Sequence, residues 1–348
     1  ANVRQDGVII ATSLPLDLVG DLRNWLAPQV INLTGGSDSD NVAAGDVTLS
    51  AGADGTLPVV DNTSLVTALD AMPRELGPGQ VNAVGRSVVN DHGAVLAHCE
   101  ATDRVAILDA ARGATVAELT SAAGALRGAE QDRYGSLWAP WAVCPGLAGG
   151  TSRVIPWGPI QAGLCARNDA AGNPNQACAG AWGEPGWVSA LDQTFTPDEC
   201  EQLLYAGVDT ARAVYGTIQA YAFRTLVDPY GPRSDWREFN HARLNMAIVA
   251  KSDAVGQDFV FGQLDGRRHT IGSFGGMLAG MLTEYYRIDA LFGDDVTEAF
   301  VVDVGPSVNT PEKLADEILS AVLQVRMSPH AELVRIDIVK QPITVSLI

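Results

Sequence analysis

The chain has 348 residues, 47% hydrophobic and 18% charged, which is material for two or three domains with a real core. A formal charge of −18, a pI near 4.5 and only three lysines exclude a general affinity for nucleic acid, because no basic cluster offsets the acidic balance. No run of about 18 uncharged apolar residues occurs, so no direct membrane insertion is expected.

The start, "ANVRQDGVII", lacks a basic stretch followed by an apolar one and does not read as a secretory leader. It also lacks an initiator Met, so processing or a preceding segment is expected. Five cysteines without a C-x-x-C pair, in a chain this large, read as free thiols in a reducing compartment.

Residues 1–46 read as an incomplete β-rich region. "DGVIIAT" and "QVINLT" are β-prone runs, as is the following "GDVTLSAG", and "GGSDSDNVAAGD" is a loop. From about residue 61 helices and strands alternate. Leu65, Leu69, Met72 and Leu76 form a helical stripe that Asp61 or Asn62 can cap, and Gly77-Pro78-Gly79 ends it. "QVNAVG" is a short strand, "VVNDHGAVLAHCEAT" a helix and "RVAILDA" a buried strand. "ATVAELTSAAGALRG" is the next helix and "YGSLWAPWAV" the next strand. This order predicts an α/β layer with a mostly parallel sheet, in a mixed α+β chain of several domains.

Further along, "TPDECEQLLYAG" is a helix capped by Thr196, and "YGTIQAYAFRTLV" a strand or hairpin. "REFNHARLNMAIVAKS" and "TIGSFGGMLAGMLTEYYRIDAL" are helices, and "EAFVVDVG" is a strand. Residues 311–326 are expected to form one helix, with Thr310 as cap. Its apolar face would be Leu314, Ile318, Leu319, Val322 and Leu323, and its polar face Lys313, Asp316, Glu317 and Gln324, with Glu312 at the positive end. The final residues alternate: Val334, Ile336 and Ile338 face one way, and Ile343, Val345 and Leu347 repeat the pattern after Pro342. An amphipathic strand at the end of a chain must find a sheet edge, its own or a neighbour's.

The stretch "GPIQAGLCARNDAAGNPNQACAG" has the look of chemistry, with two cysteines and an Arg-Asn-Asp triplet. A cysteine nucleophile with His98 or His241 as base is the enzymatic alternative. Buried filler is the reading favoured for Cys165 and Cys178, with the segment from Pro156 a packing helix in which Gly163 permits close approach. Cys165, Cys178 and Cys200 lie 13 and 22 residues apart, which is not metal-ligand spacing. Asp103, Arg104 and Asp109 flank a buried strand and read as structural. Arg224 and Arg243 are expected to tie segments through carboxylates or carbonyls. "GGMLAG" sits in a helical pattern and reads as close packing, not as a phosphate loop. No catalytic, cofactor or metal site is therefore assigned.

The order of segments carries a resemblance. "VTLSAGADG", "TSLVTALDAMPRELGPGQVNAVGRS", "VLAHCEATDRVAILDA", "YGSLWAPWAVCPG" and "VIPWGPIQAGLCARNDAAGNPNQACAG" succeed one another as in the tail sheath proteins of contractile phages. Downstream, "GVDTARAVYGTIQAYAFRTL" resembles the family's G-x-R-T-L segment, with Phe223 in place of Gly. "WREFNHARLNMAIVAKS" resembles its R-R-L helix, with Ala242 in place of the first Arg. "FVFGQLD" is an altered form of a third motif. The resemblance spans residues 47–348 and extends to sheaths of tailocins and related contractile injection systems.

The resemblance implies a non-enzymatic subunit without cofactors, which assembles with itself as six-fold rings around a tail tube protein, between baseplate and tail terminator proteins. It implies assembly in the host bacterial cytoplasm and a place in the virion tail. It divides the chain into an N-terminal region (1–46), a sheath body (47–203) and a C-terminal domain (204–348). The domain 204–348 would hold a tube-facing helix (Glu312, Lys313, Asp316, Glu317, Gln324) and an exchanged strand arm (Val334, Ile336, Ile338, Ile343, Val345, Leu347). Family members have a longer N-terminal part than residues 1–46.

Overall fold

The computed structural model describes residues 2–5, 8–12, 61–146, 149–332 and 334–336. Two compact units divide the chain at residues 59 and 60. In the first, β1 (Asn2–Gln5) pairs antiparallel with β2 (Val8–Thr12), the latter inside the expected "DGVIIAT" run. The runs "QVINLT" and "GDVTLSAG" lie outside the described residues.

The second unit is built on a five-stranded sheet in the order β10-β9-β5-β4-β3. Its strands are β3 (Gln80–Val81), β4 (Val105–Asp109), β5 (Gly135–Ala139), β9 (Val208–Val214) and β10 (Thr217–Ala220). β3, β4, β5 and β9 run parallel, and β10 returns antiparallel through the Tyr215-Gly216 turn. The sheet thus takes strands from both sides of residue 204.

Every residue of β4 and β5 is buried, as a parallel sheet covered on both faces requires. Successive side chains take opposite faces. Ala106, Leu108 and Leu137 pack with Leu65, Leu96, Leu119 and Leu203 on one face. That layer consists of α1 (Asn62–Asp70), α2 (Val89–Thr102), α3 (Val116–Leu126) and α5 (Pro197–Ala206). Val105, Ile107 and Trp138 pack on the other face with Trp157, Ile160, Phe223 and Met246. That layer is α4 (Gly158–Ala170) and α6 (Phe239–Gln257).

The caps explain the helix starts. Asp61 accepts from the Ser64 N–H, and Thr115 and Thr196 each form a reciprocal capping box with the glutamate three residues on. The expected stripe ends early: Leu65 and Leu69 are buried, but Leu76 lies on a 3₁₀ turn and is 69% exposed. The expected strand 134–143 is also broken, at the cis Ala139–Pro140 bond. β6 (Ala142–Pro145) leaves for a separate three-stranded sheet with β7 (Ser152–Ile155) and β8 (Ala190–Leu191).

α6 has a second packed side. Leu244 and Ile248 meet Phe274, Leu278 and Leu282 of α7 (His269–Arg287). This third core extends to α8 (Val296–Ala299) and to a two-stranded antiparallel sheet of β11 (Phe300–Asp303) and β12 (Val322–Val325). The glycines of "GGMLAG" divide in role. A Cβ on Gly275 would come within 2.8 Å of the Val304 side chain, whereas Gly276 and Gly280 face open space. Among the described residues no helix is long and apolar enough to cross a membrane.

Candidate functional site

In residues 158–180 the polar side chains are tied into the core. Arg243 of α6 is fully buried, and its Nη2 lies 2.5 Å from Asp169 Oδ1 at the end of α4. It also donates to the carbonyls of Gln176 (3.1 Å) and Cys165 (3.3 Å) and to Cys178 Sγ (3.2 Å). A buried guanidinium needs this many acceptors to offset its lost hydration.

Cys178 is thus more than apolar filler, since Asn168 Nδ2 also donates to its sulfur at 3.2 Å. Cys165 is fully buried, and burial pushes its thiol well above the ordinary range. Arg167 donates to Trp182 O and Glu184 O, fixing the loop that follows. Gly163 faces open space, so the expected close approach there is corrected; the buried positions of α4 are Gly158, Ile160, Gln161, Leu164, Cys165 and Asn168.

The groups around β4 are equally engaged. Asp109, pushed up by burial against hydrogen bonds from Gly85, Asn82 and Gly158, receives the Gly158 N–H at 2.8 Å. A Cβ on Gly158 would lie 2.2 Å from that carboxylate oxygen, so only glycine fits the start of α4. Arg104 donates to the carbonyls of Met72, Pro73 and Gly77, and Asp103 pairs with Arg74 at 2.8 Å. Of the histidines considered as bases, His98 contacts Arg104 and His241 contacts Glu238 and Ser328 O. Among the described residues the partners of Cys178 include no histidine.

The expected helix 311–326 is corrected. α9 spans only Pro311–Ala315, capped by Thr310. Glu317 takes the left-handed conformation (φ 62°), and the N–H groups of Ile318 and Glu317 bond back to the carbonyls of Lys313 and Leu314. This is a Schellman closure with glutamate at the position that glycine usually holds. Buried Asn309 then seals the loop, accepting from the Ser320 N–H and donating to the Ser320 and Val304 carbonyls. Glu312, Lys313, Asp316 and Glu317 are exposed around α9. Gln324 is also exposed but belongs to β12, opposite Val301, and shares no helix face with them. The β-branched residues Val322 and Val325 at its two ends are the sequence signal for this strand.

Of the arm residues, Val334 and Ile336 are 74% and 78% exposed and belong to none of the described strands. Ile338, Ile343, Val345 and Leu347 lie outside the described residues. Immediately before the arm the chain is firmly held. Met327 bridges Leu291, and the Ser328 N–H bonds Ala290 O. Asn175 Nδ2 donates to Ser328 O at 2.8 Å. His330 Nδ1 sits 3.2 Å from Glu238 Oε2, and Glu332 receives Nε and Nη2 of Arg224 in a bidentate pair.

No protein-family model matches the sequence, and no curated protein matches it. Solved structures do. A chain of the six-fold symmetrised baseplate of the anti-feeding prophage superposes with a TM-score of 0.65 at 18% identity, over 81% of this chain and 74% of that one. The contracted sheath complex of PVC, an extracellular contractile injection system, gives 0.63 at 16% identity over 75% and 70%. A sheath tail protein from Desulfitobacterium hafniense gives 0.53 at 14% identity over 87% and 66%. The fold resembles that of these contractile sheath and baseplate chains.

Within this sheath-like fold, the residues that sequence reasoning missed are those holding the arm root. Arg224 was expected to tie segments together. Its partner Glu332, and the grouping of Asn175, Glu238, His241 and His330, had no periodic or motif signal, because they meet from three distant parts of the chain.

Proposed function

We propose that the chain is the structural subunit of a contractile sheath. Copies polymerise as stacked six-fold rings around an inner tube, and the sleeve shortens to drive the tube through a cell envelope. The observation that carries this reading is the extent of the likeness in fold, at least three-quarters of the chain against structures described as contractile sheath or baseplate. The reading needs no catalytic step and no cofactor. Its partners are the chain itself, a tail tube protein, and baseplate and tail terminator proteins, with assembly in the host bacterial cytoplasm and residence in the virion tail.

Two features of the chain fit it. The β11–β12 sheet has two strands among the described residues, a number of marginal stability that gains from further pairing. A groove of about 280 Å³ separates β12 from α6, with Ile248, Leu323 and Val325 among its walls. In the other direction, exposed Val334 and Ile336 carry an alternating apolar pattern to the end of the chain. Arms of neighbouring copies add to this sheet by backbone pairing, which persists while body contacts change. The exposed carboxylates of Glu312, Asp316 and Glu317 then face basic groups of the tube. The three-part division at residues 46/47 and 203/204 belongs to the same proposal.

The structures with TM-scores of 0.65 and 0.63 are described as an anti-feeding prophage baseplate and the sheath of an extracellular contractile injection system, which makes the sheath of such an injection system the second reading. Negative-stain microscopy of the chain expressed with its tube tests the function. Striated sleeves of two lengths, or empty contracted tubes, support it. A monodisperse species at high concentration that forms no tubes overturns it.

A further inference from the structure

The last fixed point of the described chain is Glu332, and what fixes it reaches an inner strand of the main sheet. Arg224 grips Glu332 with two nitrogens, and its side chain is 11% exposed against 31% for the glutamate. The backbone of Arg224 is itself held on two sides. Its N–H lies 2.9 and 3.0 Å from the two carboxylate oxygens of Asp209, which is fully buried on β9 between β10 and β5. It also bridges Glu238, with the Thr225 N–H bonded to Arg237 O and the Phe239 N–H to Phe223 O. The guanidinium lies over the Tyr205 ring, 5.8 Å from its centroid, which limits its swing.

We infer that Arg224 and Glu332 form a latch that couples the root of the C-terminal arm to the central sheet. This rests on the proposed sheath reading for its purpose, though not for its geometry. The other ties of residues 327–332 run to the third core and to the start of α6: Met327 to Leu291, Ser328 to Ala290, Asn175 and His241, and His330 to Glu238. All of these contacts precede Glu332 in the chain. The ion pair is the first contact a pull on the arm would meet. Through Arg224 the pull passes to Asp209 and so to β9, which pairs with β5 over 208–210 and with β10 over 211–214. A latch at the exit keeps residues 327–332 seated while the segment beyond is drawn toward another copy. Its strength is that of a partly buried bidentate pair and not of the whole segment.

Hydrogen exchange on the unpolymerised chain, followed for peptides covering 326–336, tests the latch without any assembly. In Glu332→Gln and Arg224→Met, exchange at 327–332 should rise about tenfold, with the sheet peptides of β4 and β5 unchanged. The double variant should show no further rise, because either change alone opens the pair. Glu332→Gln alters the more exposed side and guards against a misfolded Arg224→Met. The swap Arg224→Glu with Glu332→Arg should recover part of the protection if charge pairing is the cause. Unchanged exchange in Glu332→Gln, or additive rises in the double variant, overturns the latch. Under assembly conditions the open-latch variants should polymerise less. Failure of the unaltered chain to polymerise would count against the sheath reading and leave the exchange result standing.

Discussion

Removing Asp169 is the sharpest test of how the body is held together. Arg243 is fully buried, and of its acceptors only Asp169 is a carboxylate; the others are two carbonyls and a thiol sulfur. Breaking a fully buried pair from one side costs about 3–5 kcal/mol, because the stranded charge keeps its desolvation penalty. The Asp169 side chain is 35% exposed, so water screens part of the attraction and the carbonyls retain part of the solvation. Asp169→Ala should therefore lose about 2–3 kcal/mol, a large share of a typical total of about 5–15 kcal/mol. Arg243→Met removes the charge but leaves the Gln176 and Cys165 carbonyls short of a donor, at about 1–3 kcal/mol each. With both changes made, no charge is stranded, so the double variant should lose at least about 1 kcal/mol less than the sum of the singles. Urea unfolding of the unpolymerised chain measures all three. Additivity within about 0.5 kcal/mol, or a negligible loss in Asp169→Ala, would refute the claim that this pair joins α4 to α6.

Glu317→Gly should raise stability by about 1 kcal/mol, read as a higher melting temperature, since glycine adopts the left-handed conformation without the side-chain penalty. The arm root should loosen in acid. The bond from Arg224 holds Glu332 below its ordinary carboxyl value of 4.5. Burial pushes Glu238 up, but His330, His241 and Arg237 outweigh it and hold it below the same value. A lowered folded-state value means that this stabilisation is complete above 4.5 and is lost as pH falls through the lowered values. Asp209, pushed up by burial, acts with the opposite sign and favours the folded body as it protonates. Exchange corrected for intrinsic rate should show protection of 327–332 near neutrality and its loss in acid, before the central sheet opens. Deleting residues 333–348 should leave the far-ultraviolet circular dichroism of the body intact and abolish polymerisation seen by light scattering. Reversing the charges of Glu312 and Asp316 should weaken co-sedimentation of sheath with tube, most at low salt.

Much of the body was legible because its signals are local and mutually consistent. β4 reads as a short apolar run bounded by charge, and α3 and α5 announce themselves by Thr and Glu three apart. Two failures have local causes. The helix expected over 311–326 had a convincing apolar stripe, but the bonds that stop it at Ala315 come from a left-handed glutamate and from the Asn309 side chain, which periodicity does not report. The strand expected over 134–143 kept its apolar run while changing sheets at Pro140. The polar groups of 158–180 looked catalytic for a different reason. Buried Arg243 lies 65 residues beyond Cys178 in the chain, so sequence shows its acceptors without the donor that occupies them. The arm root is the extreme case, since Arg224 and Glu332 are separated by 108 residues and by most of the third core.

A helical reconstruction of the assembled polymer by electron cryomicroscopy tests the central claim most directly. The account predicts copies related by six-fold symmetry around a lumen. It also predicts at least one added strand on each β11–β12 sheet, traceable to residues 334–348 of another copy. A polymer in which β11–β12 remains two-stranded and each C-terminal segment pairs only within its own chain would contradict it.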